Sequence, residues 1–160
     1  MSKLLEALHS GRRDQVDELL AQDPELDVFE AAALGRADRL RDLLADDPAR
    51  ANAYGDDGFQ PLGLASFYGH VEAARVLLEH DANPNTLARN QYIQANALHA
   101  AVAAENKDEP TRYELAQLLL DHGADPNLRQ GTDDFRPIDA ARQNGDERLE
   151  RLLKERGASD

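Results

Sequence analysis

Cysteine is absent from this chain, which excludes disulfide bridges and thiolate metal centres and fits a cytoplasmic setting. Also missing is any apolar run of the roughly eighteen residues that a membrane helix needs. No charged-then-apolar leader opens the sequence. Neither a membrane span nor a secretion route is therefore expected. Basic charge is scarce: 18 Lys and Arg stand against 31 Asp and Glu, for a net charge of −13, and arginine supplies most of the cations. Such a surface repels phosphate backbones and anionic lipid, so no direct nucleic-acid or membrane partner is expected, while a basic protein would be drawn in faster. The same acidity also serves plain solubility.

Catalytic signatures are missing too. There is no phosphate-cradling glycine loop and no nucleophile elbow. His9, His70, His80, His99 and His122 nowhere fall at a metal-binding helix spacing such as H-E-x-x-H. The doublets Asp46-Asp47, Asp56-Asp57 and Asp133-Asp134 sit at turns, where aspartate bonds the local backbone. The expectation is a non-enzyme with no catalytic residues, no metal and no cofactor.

What is present is a pattern, clearest over residues 57–85. Asp57-Gly58-Phe59-Gln60-Pro61-Leu62 leads into Ala65-Ser66-Phe67-Tyr68-Gly69-His70, then Val76-Leu77-Leu78, and Ala82-Asn83-Pro84-Asn85 closes it. Pro61 suits the first turn of a helix, where its missing N–H would be unpaired anyway. Leu62 and Ala65 share one side of that helix, and Gly69 ends it in the left-handed region. Val71, Ala74, Leu77 and Leu78 then line one face of a second helix. Such a pair cannot bury its apolar side alone and needs copies stacked on either side.

The copies are there. Leu98-His99-Ala100-Ala101 repeats the first helix, and Leu118-Leu119-Leu120-Asp121-His122-Gly123-Ala124-Asp125-Pro126-Asn127 repeats the end of the second. Pro137-Ile138-Asp139-Ala140-Ala141 with Gly145 and Leu152-Leu153 forms a last unit; Ala31-Ala32, Gly35 and Leu43-Leu44, and then Ala7, Gly11 and Leu19-Leu20, form two earlier ones. The pattern resembles the ankyrin repeat, G-x-T-P-L-H-x-A-A-x-x-G-H followed by a Leu-rich helix and G-A-D-x-N. The chain is thus identified as an all-α ankyrin solenoid, stacked helix-turn-helix pairs with short β-hairpin fingers. The repeats fall over about 1–26, 27–54, 55–87, 88–128 and 129–160, in one domain over 1–160 whose first and last units act as caps.

Local signals add detail. Asp27 reads as an N-cap, Asp46-Asp47-Pro48 as a helix stop, and Asp108 or Glu109 before Pro110 as a new helix start. The join Asp23-Pro24-Glu25-Leu26-Asp27 leaves no room for a finger in the second unit. The finger after Asn85 is about three residues longer than the repeat requires, and the turn over 105–112 gains about six, both in loops where solenoids accept insertions. Asp134 stands in a position usually held by glycine, and Glu105 replaces the glycine that ends the fourth unit's first helix.

The resemblance implies a protein-binding module that uses finger tips and the concave side of the first helices. It implies structural roles for His99, supporting the neighbouring finger, and for His70. It also places contacts in the two residues before each helix-ending glycine: His9 and Ser10, Ala33 and Leu34, Phe67 and Tyr68, Ala103 and Ala104, Gln143 and Asn144. Leu34, Phe67, Tyr68, Ala103 and Ala104 would form an apolar strip, which Tyr92 and Ile93 on the long finger extend; Tyr54, Phe59, Arg89 and Phe135 rank behind them. An adaptor, inhibitor or immunity-like protein, monomeric on its own, is expected. Alternatives are an acidic decoy covering a basic nucleic-acid-binding protein, and an engineered or structural scaffold without a natural ligand. The irregular caps and the two insertions argue against a uniform design.

Overall fold

A computed structural model describes residues 1–104, 108–131 and 134–160. The described helices come in successive pairs: α1 (Lys3–His9) with α2 (Arg13–Leu20), α3 (Val28–Ala33) with α4 (Ala37–Asp46), and α5 (Pro61–Phe67) with α6 (Val71–Glu79). The last two pairs are α7 (Ala97–Ala103) with α8 (Glu109–Asp121), and α9 (Pro137–Gln143) with α10 (Glu147–Glu155). First helices pack on first helices from α1 through α9, and second helices on second helices from α4 through α10. The result is two layers, each held only by its neighbours.

The starts of these helices follow from their sequences. Asp27 and Glu30 form a reciprocal capping box at α3. Pro61 and Pro137 occupy first turns, and Asp108 caps α8 by accepting from Thr111 N–H at 2.8 Å. At the end of α5 the Gly69 N–H reaches Ser66 O and the His70 N–H reaches Ala65 O, with Gly69 at φ +78°. That arrangement satisfies carbonyls the helix leaves open and requires a residue tolerant of positive φ. After α4 the chain makes a 3₁₀ turn, Pro48–Asn52, that the sequence reading does not anticipate.

Between the layers lies one continuous apolar core running from Leu5 to Leu153, with a smaller cluster of Leu4, Ala7 and Val16 under the N-terminal pair. Leu40, Leu44, Leu77, Leu98, Leu115 and Leu153 are fully buried. So are Ala31, Ala65, Ala101 and Ala141, small residues that let successive first helices approach closely.

A ladder of asparagines stitches the units together. Asn52 donates to Asp81 O and accepts from Asn83 N–H, both at 2.8 Å. Asn85 does the same with Gly123 O (2.9 Å) and Asp125 N–H (2.7 Å), and Asn127 with Gly157 O and Ser159 N–H, both at 2.8 Å. Each amide thus uses both polar ends on the next unit's backbone.

Two expectations need correction. The fingers are turns rather than β-hairpins, and no strand is present among the described residues. Among the described residues their cross-turn bonds include Ala88 N–H to Ala95 O at 3.0 Å and Gln130 N–H to Phe135 O at 2.9 Å, which do not make a ladder. The insertion over 105–112 is in part structural: residues 105–107 lie outside the described residues, but Arg112 at its end is buried and pairs with buried Asp146 at 3.3 Å. Asp146 also caps α10 through Leu149 N–H, so this pair locks the last two units. Asp134 does adopt the glycine-like conformation, with φ +59°. Among the described residues no helix is long and apolar enough to cross a membrane.

Replacing Leu77, fully enclosed between layers, with alanine is expected to lower stability by about 2–5 kcal/mol through the cavity it leaves. Denaturant unfolding measures this, and an unchanged midpoint would contradict the stacking.

Candidate protein-binding groove

Helices α5 and α7 carry no Asp, Glu, Lys or Arg, whereas every other described helix does. They pack side by side and form the floor of a groove of about 700 Å³. Its origin lies in one difference between them. In α7, His99 reaches the following finger, donating to Phe135 O at 2.9 Å and meeting Asn96 Oδ1 at 2.7 Å. The matching position in α5 is Gly63. Among the described residues, a Cβ built there would meet nothing within 4 Å, no side chain bridges α5 to its following finger at that position, and the space stays open. Glycine inside a helix costs about 1 kcal/mol relative to alanine, and no close neighbour in the fold demands it.

The finger after Asn85 forms the opposite wall, with Thr86, Ala88, Asn90, Tyr92, Ile93 and Ala95 facing the groove. Asn90 shapes the tip by accepting from Tyr92 N–H (2.9 Å) and Ile93 N–H (3.1 Å), and its amide donates to Asp57 O at 2.8 Å. Arg89 N–H donates to Gly58 O at 2.8 Å. This contact is so close that a Cβ on Gly58, itself at φ +82°, would fall 2.6 Å from Arg89 C. Gly131 N–H to Gln94 O at 3.2 Å ties the same finger to the next.

The end nearest the N-terminal unit is closed by His9, Tyr68 and Asp57. The His9 ring stacks on Tyr68, with centroids 6.0 Å apart and planes at 22°. Its Nδ1 lies 2.7 Å from the Tyr68 hydroxyl and its Nε2 lies 3.2 Å from Asp57 Oδ2. An N–H directed at the carboxylate leaves Nδ1 to accept from the tyrosine. Burial, helped by the Asp57 charge, pushes the Tyr68 hydroxyl up to about 12. Phe67 meets Tyr68 edge-on at 5.1 Å.

Seven of the residues singled out from sequence meet here: His9, Phe59, Phe67, Tyr68, Tyr92, Ile93 and Ala103 all line the groove. Phe67, Tyr92 and Ile93 are also exposed, unusually for large apolar side chains in this chain. The others lie elsewhere. Ala104 is buried, because the chain leaves α7 at that residue (φ −69°, ψ 86°); its expected exposure is corrected, as is that of buried Ala33. Leu34 packs on the N-terminal apolar cluster and is apart from the groove. Tyr54 and Arg89 hold fingers together: the Tyr54 hydroxyl donates to Leu87 O at 3.1 Å, and the Arg89 guanidinium lies 3.9 Å above its ring. Phe135 is half-buried, with its carbonyl taken by His99. Ser10, Gln143 and Asn144 are exposed but outside the groove.

Sequence reasoning missed Gly63 and the role of His9. Setting Gly63 against His99 in the repeat would have found the first. The second needed His9 to reach across the whole second unit, which no local spacing reveals. Among the described residues no three of His, Asp or Glu gather to hold a metal ion. None of the described lining residues is Asp, Glu, Lys or Arg.

A family model described as ankyrin repeats (3 copies) matches residues 4–130. The chain belongs to the ankyrin repeat family. Ankyrin repeats are protein-interaction modules, and this one is similar to two curated proteins. It is 39% identical over 92 residues to cyclin-dependent kinase 4 inhibitor B of Bos taurus, covering 56% of this chain and 61% of that protein. Over 86 residues it is 37% identical to alpha-latroinsectotoxin-Lt1a of Latrodectus tredecimguttatus, covering 53% of this chain and 5% of the toxin. The ankyrin chain therefore spans less than two thirds of either relative.

Two outcomes test this geometry. Gly58→Ala is expected to part the fingers and speed hydrogen exchange at the Arg89 N–H, leaving exchange within α10 unchanged. Tyr68 should ionise only about pH 12, against 10.0 when unfolded. Its contribution to stability is then complete below pH 10 and is lost as pH rises toward about 12. Near-ultraviolet absorbance of wild type against Tyr68→Phe measures it, and a Tyr68 ionising with the unfolded chain would contradict the clasp.

Proposed function

We propose that this chain is a non-catalytic interaction module of the cytoplasm, a single domain over 1–160, monomeric alone, that captures one protein through the groove and the finger tips around it. The observation that carries this is an apolar groove whose rim exposes Phe67, Tyr92 and Ile93 on a surface otherwise rich in charge. Exposed aromatic side chains grouped at a concavity are the residue types that dominate binding energy. The likeness to a protein named as a kinase inhibitor supports action by occupying a partner rather than by turnover. Adaptor, inhibitor and immunity-like roles all work in this way.

A second reading has one observation in its favour. The net charge of −13 suits an acidic decoy for a basic, nucleic-acid-binding protein. Capture would then be lost in salt and displaced by nucleic acid.

Capture from host lysate by the wild type, beside a Phe67→Arg, Tyr92→Arg double variant, separates the two. Both positions are exposed, so folding is expected to persist. A partner held by wild type and lost by the variant is the expected result. Equal retention by both, with release by nucleic acid, would favour the decoy.

A further inference from the structure

We propose that the groove over Gly63 receives a short, uncharged, apolar stretch of another protein, set between basic flanks. The inference rests on the binding role proposed above and names the chemistry of what binds.

Three observations converge on it. Gly63 keeps open a space in the groove that no atom of the described residues occupies within 4 Å of where its Cβ would stand. A bulky side chain from a partner fits where the matching residue of the next unit, His99, sends its own ring across to a finger. The described lining residues supply no Asp, Glu, Lys or Arg, so a charged group entering would lose its water and find no opposite charge. Leu62, Ala97 and Ala100 at the floor, with Phe67 and Ile93 above, offer apolar contact instead. At the closed end the Tyr68 hydroxyl and His9 ring are already engaged with each other and with Asp57, which limits how far the stretch extends in that direction.

The flanks follow from the rest of the surface. Every other described helix carries charged residues, and the balance of the whole chain is acidic, 18 Lys and Arg against 31 Asp and Glu. Basic residues on either side of the apolar stretch are attracted at long range, while the seated contact is uncharged. Association should therefore slow with added salt and dissociation should not.

A displayed library of random peptides, selected against the full chain, supplies the probe. The best peptide is then labelled with fluorescein and its rates measured. Enriched peptides are expected to share an apolar, uncharged core with Lys or Arg on both sides. Gly63→Leu fills the space, and Ala103→Glu puts a charge at an exposed groove position; each is expected to weaken the peptide about tenfold or more. Because Gly63→Leu replaces a helical glycine beside open space, its unfolding midpoint should hold or rise. Ala103→Glu, at an exposed site, guards against a folding artefact in the first variant.

Enriched cores carrying charge, or rates that both respond equally to salt, would overturn the proposal. Peptides that bind wild type and both variants alike would overturn the groove occupant and leave the chain a binding module. A library that yields nothing, with no host protein captured either, would remove both readings. Dimers of the wild type that come apart in Gly63→Leu would assign the groove to a second copy of this chain instead.

Discussion

Everything in this molecule depends on burial that is shared between neighbours. Apart from the small cluster under the N-terminal pair, the core is common property: fully buried Leu77 and Leu98 belong to a single cluster that crosses the unit boundaries. Removing apolar area from water supplies the driving force at about 25 cal/mol per Å², but only if the next pair is close enough to share it. Alanine at positions 31, 65, 101 and 141 sets that closeness. The asparagines then fix the register, because each amide meets one donor and one acceptor on the next unit. Apolar contact is tolerant of sliding and paired hydrogen bonds are not, so the two kinds of interaction divide the work of attraction and alignment.

Much of this could be read from the sequence because repetition averages out local ambiguity. A single Pro-Leu or Leu-Leu means little, but Leu62, Leu77 and Asn85 recurring at Leu98, Leu119 and Asn127 define a helix pair and its copy. Features that depend on three-dimensional closure were less legible. Ala104 follows the repeat pattern, yet it is buried, because the chain leaves α7 at that residue. The fingers follow the hairpin pattern, yet the cross-bonds among the described residues do not build a strand pair. Tyr54 and Arg89 looked like tip residues and instead grip each other.

The groove shows the same division. Phe67, Tyr92 and Ile93 announced themselves as large apolar residues at positions that face outward. Gly63 was silent, since a missing side chain leaves no signal except by comparison with its repeat partner. His9 was marked as a contact by its place before Gly11, but its clasp was silent for a different reason. Its partners Asp57 and Tyr68 are 48 and 59 residues away, and only the shortened second unit brings the first against the third unit's finger.

The opening at Gly63 has to be offset, because it gives up both helix propensity and the bridge that His99 makes one unit later. The compensation lies in the fingers. Arg89 to Gly58, Asn90 to Asp57, and Tyr54 to Leu87 together hold the third and fourth fingers by direct contact. Finger therefore binds finger where finger cannot bind helix. A wall tied to its neighbouring wall and released from its floor is the arrangement that keeps a groove open without letting the solenoid come apart. It also explains why the longer finger stands here, since the added residues around Asn90 are the ones that reach Asp57. The insertion and the glycine are, on this account, one structural device written in two separate places in the chain.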